Sequence, residues 1–295
     1  MGLRHADGRG QDIHLATPAN PNASGRSLPY HRYAGTALLS KGAPLASKSI
    51  RIYVSHDAEK CWLPDDPAFE AVSATRVAGA DAHAWGELAV LRHVWRSMSE
   101  VDADAVGLAA DGAFLASNFS FDRRRRVAGP EYLSHRLDTR AIVLPGESNW
   151  ILETNRAHYL RGHRELGLDA LRDVVREVEP DYAHALDVRL GITHGHSTNV
   201  CLMRRDRMDE YCSWMFPLME EVETSLLALG PDKVERHELA DLAPFLLDAW
   251  LDRRGLTPVE VGLVRVDGRT HAPGIADELE RDYRARYAPK SDGAE

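Results

Sequence analysis

The stretch that decides the fold runs from His194-Gly-His-Ser-Thr-Asn-Val-Cys-Leu-Met203 to Met208-Asp-Glu-Tyr-Cys-Ser-Trp-Met-Phe216. Its first part predicts a short strand over 199–203, preceded by two histidines whose spacing lets both imidazoles point to one face. Its second part begins a helix, because apolar residues recur every three or four positions, namely Met208, Tyr211, Cys212, Met215, Phe216, Met219, Val222 and Leu226. Such an apolar stripe has to pack against another element, and a sheet is the expected partner.

Strands and helices alternate on both sides of this stretch. Apolar and β-branched runs predict further strands at 50–56, 104–110, 140–145 and 259–266. Helical periodicity predicts further helices at 84–98, 168–178, 180–190 and 239–250. The alternation predicts an α/β fold with a mostly parallel central sheet that is flanked by helices.

Composition narrows the class of protein. At 295 residues the chain can bury one large core, and we predict a flexible tail over 1–47, a single domain over 48–278 and a charged tail over 279–295. The formal net charge of -9 disfavours nucleic acid as a partner. Because no apolar run approaches the roughly 18 residues of a membrane span, no membrane insertion is expected. Three cysteines without close pairing suit a reducing compartment, so the cytoplasm is the expected location.

Three residues are candidates for a divalent metal site. His194 and His196 carry imidazoles that can share one cation, and Asp111 places a carboxylate directly after a predicted strand. The same residues also fit a plainer interpretation, in which the histidines lie on a surface loop and Asp111 begins an ordinary Asp-Gly turn.

Two further groups have residue types that suit catalysis or phosphate binding. The run Arg123-Arg-Arg-Arg126 could clamp a diphosphate with forked guanidinium donors, or could simply be a solvated loop. Glu153, His158 and His163 bring a carboxylate and two imidazoles close to a helix start, which are the groups that proton transfer needs at neutral pH. The sequence lacks a Walker loop, a Rossmann glycine triplet, a hydrolase elbow and a paired-cysteine zinc motif, so those classes are excluded.

Several segments, in this order, resemble a domain family of bacterial capsule and O-antigen clusters, whose members are regarded as glycosyltransferases of the nucleotide-diphospho-sugar (GT-A) fold. The resemblance covers about residues 50–265 and rests on Ile52-Tyr-Val-Ser-His56, Glu87-Leu-Ala-Val-Leu91 with Trp95, Asp102-Ala-Asp-Ala-Val-Gly-Leu108, Ile142-Val-Leu-Pro145, Glu153-Thr154 with His158-Tyr159 and His163, His196 with Asn199, Asp209-Glu-Tyr-Cys-Ser-Trp214, and Leu247-Asp-Ala-Trp-Leu251. One departure stands out. Family members usually continue the Gly-Leu strand with Cys-His-Tyr-Arg-Arg, whereas this chain has Ala109-Ala-Asp-Gly-Ala113.

The resemblance implies a single GT-A-like domain that binds a nucleotide-diphospho-sugar, and we expect a GDP-sugar in preference to a UDP-sugar. The expected cofactor is a divalent metal ion, manganese, and no flavin is expected. It implies metal ligands at Asp111, His194 and His196, with His271 as a weaker option. Proton transfer is assigned to Glu153 and His158. The residues that would line the substrate pocket are His56, Glu87, Arg123, Arg124, His163 and Asn199.

Three functions are compatible with this site. The preferred function is a metal-dependent GDP-sugar pyranose–furanose mutase that uses no flavin. A family motif is lost at the end of a strand, and the sequence lacks the dinucleotide fingerprint that a flavin mutase would need. The acidic surface also offers no obvious docking site for the lipid-linked acceptor of a transferase. The first alternative is a GT-A glycosyltransferase that transfers a hexosyl or galactofuranosyl group. The second alternative is a catalytically inactive sugar-nucleotide-binding protein. The sequence leaves the nucleotide, the sugar and the oligomeric state open.

Overall fold

A computed structural model describes residues 49–57, 61–110, 112–117, 120 and 122–266. The predicted tails at 1–47 and 279–295 lie outside these residues, as do Asp111 and His271. The strands are β1 (Ile50–His56), β2 (Phe69–Ser73), β3 (Ala105–Ala110), β4 (Ala113–Ala116), β5 (Ile142–Pro145), β6 (Ser148–Asn149), β7 (His194–Gly195), β8 (Cys201–Arg204) and β9 (Val259–Arg265). The α-helices are α1 (Ala74–Ala78), α2 (Ala82–Trp85), α3 (Leu88–Arg96), α4 (Pro130–Thr139), α5 (Asn155–Tyr159), α6 (Glu165–Val178), α7 (Pro180–Gly191), α8 (Arg205–Leu229) and α9 (Glu238–Arg254).

The central sheet is mixed, so the prediction of a mostly parallel sheet is wrong. Seven strands pair in the order β2-β1-β3-β4-β9-β5-β8, and β8 also pairs with β3. Among the strands of the described residues, only the pairs β1–β2, β1–β3 and β5–β9 are parallel. The chain reverses between β3 and β4, where Gly112 has a φ of 77° that favours glycine, and β8 runs antiparallel to both β3 and β5. Strand direction depends on these distant pairings, which the alternation of helices and strands does not reveal.

Helices cover both faces of the sheet, as the sequence predicted. The larger core lies between one face and helices α2, α3 and α6 to α9, and a smaller core lies between the other face and α4. Every residue of the apolar stripe on α8 is buried, which confirms the periodicity of that segment. The helix predicted over 84–98 is interrupted, because Gly86 has a φ of 48° and ends α2 before α3 begins.

One edge of the sheet gathers the segments that the sequence singled out. The carboxyl ends of β1 and β3 lie together because these strands are parallel. Since β8 runs antiparallel to β3 and β5, its amino end and the carboxyl end of β5 lie at the same edge. The short ribbon of β6 and β7 forms just beyond β5 and before β8, with Ser148 opposite Gly195 and Asn149 opposite His194. This places His196 and Asn199 at the sheet edge where ligands of α/β proteins bind.

Candidate functional site

A buried histidine and aspartate form the centre of the site. His196 follows β7, and its side chain is only 4% exposed. Its Nδ1 lies 2.5 Å from Oδ1 of Asp248 on α9, and its backbone N–H donates to Oδ2 of the same carboxylate at 3.0 Å. A carboxylate accepts hydrogen bonds, so Nδ1 carries a proton here, and in the neutral ring the lone pair is on Nε2. Among the described residues Nε2 is buried and has no hydrogen-bond partner.

The segment before His196 fits tightly against the aspartate. A Cβ atom on Gly195 would lie 2.7 Å from Oδ2 of Asp248 and 3.0 Å from Nδ2 of Asn155. Asn155 is buried, and its Nδ2 donates to the carbonyl groups of Arg189 and His194 at 2.7 and 2.8 Å. Only glycine therefore allows the chain to pass this close to the carboxylate that orients the imidazole.

His196 lines a cleft of about 450 Å³. Three aromatic side chains, Trp150, Tyr159 and Phe245, form part of its walls. The Trp150 ring stacks on the imidazole of His158 with centroids 3.5 Å apart. Aromatic faces combined with a few polar groups, in a cavity of this size, are typical of sites for small polar ligands.

Charged and polar groups line one end of the cleft. Nδ1 of His163 lies 3.3 Å from Glu235, and its Nε2 lies 3.5 Å from Asp241. Burial raises the pKa of Asp241. Burial, and next the charge of Glu238, raise the pKa of Tyr159, so this phenol keeps its proton. Its hydroxyl oxygen is buried and has no hydrogen-bond partner among the described residues.

Glu147, His196 and Asp248 form a candidate group for a divalent ion, since they bring ligand atoms within 4.8 Å of one another. Arg189, however, supplies a positive charge to this group already. Its Nη1 donates to Glu147 at 2.9 Å and lies 3.8 Å from Asp248, while its Nε and Nη2 form a fork on Asp252 at 2.5 and 2.6 Å.

The fork on Asp252 is the largest cause that raises the pKa of Arg189, so the guanidinium stays charged. A second cation beside it would be repelled, and the carboxylate oxygens are already engaged. These residues therefore do not fit a metal ion while Arg189 is in place.

His194 and His196 bond to different carboxylates. Nδ1 of His194 lies 2.6 Å from Oε2 of Glu147. Burial alone would raise the pKa of Glu147, but hydrogen bonds with His194 and Arg189 outweigh it and lower the pKa. A cation shared by the two histidines and Asp111 stays a prediction, because Asp111 lies outside the described residues.

The structure brings together some of the other predicted residues. Nδ1 of His158 lies 3.5 Å from Glu153, and His158 and His163 both line the cleft. Asn199 donates from its Nδ2 to Glu87 at 2.8 Å, and burial raises the pKa of Glu87.

Five of the six predicted pocket residues do not line the cleft: Glu87 and Asn199, which bond to each other, and His56, Arg123 and Arg124. His56 ends β1, Arg123 precedes a 3-10 turn, and the guanidinium of Arg124 lies 5.5 Å from the Trp62 ring. These residues do not belong to the cleft walls, so their part in substrate binding stays a prediction.

Sequence reasoning missed Asp248, Arg189 and Asp241 as site residues. A signal existed for Asp248, because it is a lone acid within the apolar run Leu246-Leu-Asp-Ala-Trp-Leu251. A buried charge among apolar neighbours is rare unless it is paired. No comparable signal marked Arg189, which lies on an ordinary amphipathic helix.

Comparison with known proteins places the chain in a family. Residues 73–255 match the family described as "Domain of unknown function (DUF4422)", which is more than half of the chain. The chain belongs to the DUF4422 family. Among solved structures, this DUF4422 chain is similar to the apo structure of WbbM, a bifunctional glycosyltransferase, with a TM-score of 0.64 and 18% sequence identity. The match covers 77% of this chain and 48% of that chain, so the DUF4422 chain spans about half the length of its structural neighbour. Comparison with curated proteins gave no match.

These comparisons confirm the predicted likeness at the level of the fold. The mixed α/β architecture is similar to that of the WbbM structure. Neither comparison supports the predicted GDP-sugar mutase. In the part of the chain that the structure describes, no helix combines the length and the apolarity needed to cross a bilayer.

Proposed function

We propose that this DUF4422 protein acts on a nucleotide-diphospho-sugar in the cleft beside His196, and that the His196–Asp248 pair transfers a proton in the reaction. The observation that carries the proposal is the His196 imidazole, which is fixed by a buried carboxylate and lines the cleft with an unpartnered Nε2. An imidazole oriented in this way is a suitable general base at neutral pH. The glycosyltransferase-like fold supports the choice of substrate class.

Glycosyl transfer is the reaction that we favour, because the structural neighbour is a glycosyltransferase. Nε2 of His196 would accept the proton of an acceptor hydroxyl, and the hydroxyl oxygen would form a bond to the anomeric carbon of the sugar. The bond between that carbon and the diphosphate would break, and the nucleoside diphosphate would leave with the bonding electrons. Asp248 would stabilise the imidazolium that forms on His196. GDP as the nucleotide and manganese as a cofactor remain predictions from the sequence.

A sugar-nucleotide pyranose–furanose mutase is the second candidate. In that reaction the bond between the anomeric carbon and the diphosphate breaks and forms again. The bond between that carbon and the ring oxygen breaks as the ring oxygen gains a proton, and another hydroxyl of the sugar loses its proton and bonds to the same carbon. The observation that favours it is a second acid–base pair, since His158 lines the cleft and lies 3.5 Å from Glu153. Two such pairs suit a reaction that both removes and returns a proton.

To test the proposal, the purified protein is incubated with GDP- and UDP-hexoses. Each reaction is run with and without manganese, and with and without a panel of sugar acceptors. A glycosylated acceptor and free nucleoside diphosphate are expected. An isomer of equal mass, formed without acceptor, would instead identify the mutase. Ligand-induced thermal stabilisation without turnover would identify the inactive binding protein.

Substitution of the histidine then tests its role in either reaction. His196→Gln should lower kcat by about 10²- to 10⁴-fold, the usual contribution of a general base. His135→Gln is the matched control, because His135 lies on α4 with an exposed side chain, and it should keep normal turnover. Normal turnover in a correctly folded His196→Gln variant would contradict the assignment.

A further inference from the structure

A proline lies inside the helix that carries Asp248. Pro244 occupies a buried position of α9, four residues after Ala240 and four residues before Asp248. Because proline has no backbone N–H, the carbonyl of Ala240 lacks the hydrogen bond that residue 244 would otherwise donate to it. Ala240 is only 2% exposed, and buried carbonyl groups in folded proteins almost always have a partner. This gap in α9 is therefore open to a donor from another element.

Asn199 supplies that donor. Its Nδ2 lies 2.8 Å from the carbonyl oxygen of Ala240 and 2.8 Å from Oε1 of Glu87, so both hydrogens of the amide are used. A backbone carbonyl can only accept, which assigns the nitrogen of the amide, and not its oxygen, to this contact. Asn199 is buried and lies just before β8, so the bond joins the entrance of the central sheet to α9.

Two contacts hold one short segment along the same helix. His196 contacts Asp248, and three residues later Asn199 contacts Ala240. Ala240, Pro244 and Asp248 follow one another at intervals of four residues, so they share one face of α9. Because the chain meets Asp248 first and Ala240 second, it runs antiparallel to α9 and is fixed at both ends.

We propose that Asn199 is a positioning residue for His196, and that its bond to Ala240 takes the place of the helical hydrogen bond that Pro244 removes. This bond holds the segment after β7 against α9 independently of the imidazole, so that the ring keeps its contact with Asp248 and its direction toward the cleft. The functional part of this assignment rests on the proposed function of His196. The exchange of one donor for another does not.

A double-mutant cycle of thermal unfolding tests the exchange of donors. Asn199→Ala should lower Tm by about 3–8 °C, because a buried carbonyl loses its donor. In a Pro244→Ala background the same change should lower Tm by less than half as much, because the N–H gained at position 244 bonds to that carbonyl. The lost bond to Glu87 is common to both comparisons and cancels.

Pro217→Ala is the matched control for the cycle. Pro217 also lies inside a helix, α8, but at an exposed position, so this background should leave the cost of Asn199→Ala unchanged. An equal loss of stability in the wild-type and Pro244→Ala backgrounds, including a failure of both variants to fold, would overturn the exchange of donors.

A spectroscopic measurement tests the positioning of His196 separately from stability. The Nδ1–H of His196, bonded to Asp248 in a buried site, should give a slowly exchanging downfield proton resonance in the NMR spectrum, assigned by its absence from His196→Gln. The resonance should broaden or vanish in Asn199→Ala and also in Asn199→Ala/Pro244→Ala, because the second variant restores the bond inside α9 but not the bond to the segment. Pro217→Ala should keep it.

An unchanged resonance in both Asn199 variants would show that Asn199 serves the fold alone, and it would overturn the positioning role. Neither measurement needs a substrate, so their outcome is independent of the reaction proposed for the cleft.

Discussion

Replacement of Gly195 by alanine tests the geometry at the centre of the site without knowledge of the substrate. The new Cβ would lie 2.7 Å from Oδ2 of Asp248 and 3.0 Å from Nδ2 of Asn155. Neither neighbour can withdraw easily. The Asp248 carboxylate is bonded to the backbone and the ring of His196, and the Asn155 amide is bonded to two carbonyl groups and to Trp150.

The size of the effect follows from two opposing contributions. Overpacking of a rigid interior costs about 1–3 kcal/mol. Alanine also restricts the backbone of the unfolded chain more than glycine does, which raises the free energy of unfolding by about 0.4–1 kcal/mol. A net destabilisation of about 1–2 kcal/mol corresponds to a fall in Tm of about 2–8 °C for a domain of this size.

Differential scanning calorimetry measures the change, and Gly191→Ala provides the control. Gly191 is the last residue of α7, and a Cβ there would meet no atom within 4 Å. This control should leave Tm unchanged or raise it, because alanine favours the helix and restricts the unfolded chain. The two glycine-to-alanine changes should therefore shift Tm in opposite directions. If Gly195→Ala unfolded at or above the temperature of the wild type, the close approach of Gly195 to Asp248 would be refuted.

Two further predictions concern ionisable groups. Hydrogen bonds hold the pKa of Glu147 below its ordinary 4.5. Above that pH the ionised carboxylate therefore adds to the free energy of unfolding, and this stabilisation is lost as the pH falls through the folded-state pKa. The difference in unfolding free energy between the wild type and Glu147→Gln, measured with urea, should therefore shrink from about pH 6 to about pH 3, and a constant difference would contradict the assignment. Burial raises the pKa of Cys201 to about 12 and that of Cys212 well above its usual range, so at about pH 8 a thiol reagent should modify only Cys61 rapidly in the native protein. All three cysteines should react after unfolding, and rapid native modification of either buried thiol would show that the core is open.

Local patterns in the sequence predicted the elements well where those patterns were strong. The first strand runs over 50–56 in both the prediction and the structure, and the stripe of α8 is buried throughout. Both signals depend on neighbouring residues only. The break at Gly86 was missed, because the positive φ of that residue is fixed by its surroundings and not by the helical periodicity. The direction of β8 was missed because it depends on pairing with β3, about a hundred residues earlier in the chain.

The sequence by itself determined the α/β class of the fold and the family resemblance, and it predicted a site in the segment around His196. Residue types and short spacings carry that information. The tertiary structure alone decided which group contacts His196, because Asp248 lies 52 residues away and reaches the ring only when α9 packs behind β7. It also placed Arg189 among the carboxylates that would otherwise suit a metal, and left the side chains of Ile151 and Leu152 exposed. Charge neutralisation and exposure depend on which distant groups surround a residue, and no local spacing encodes them.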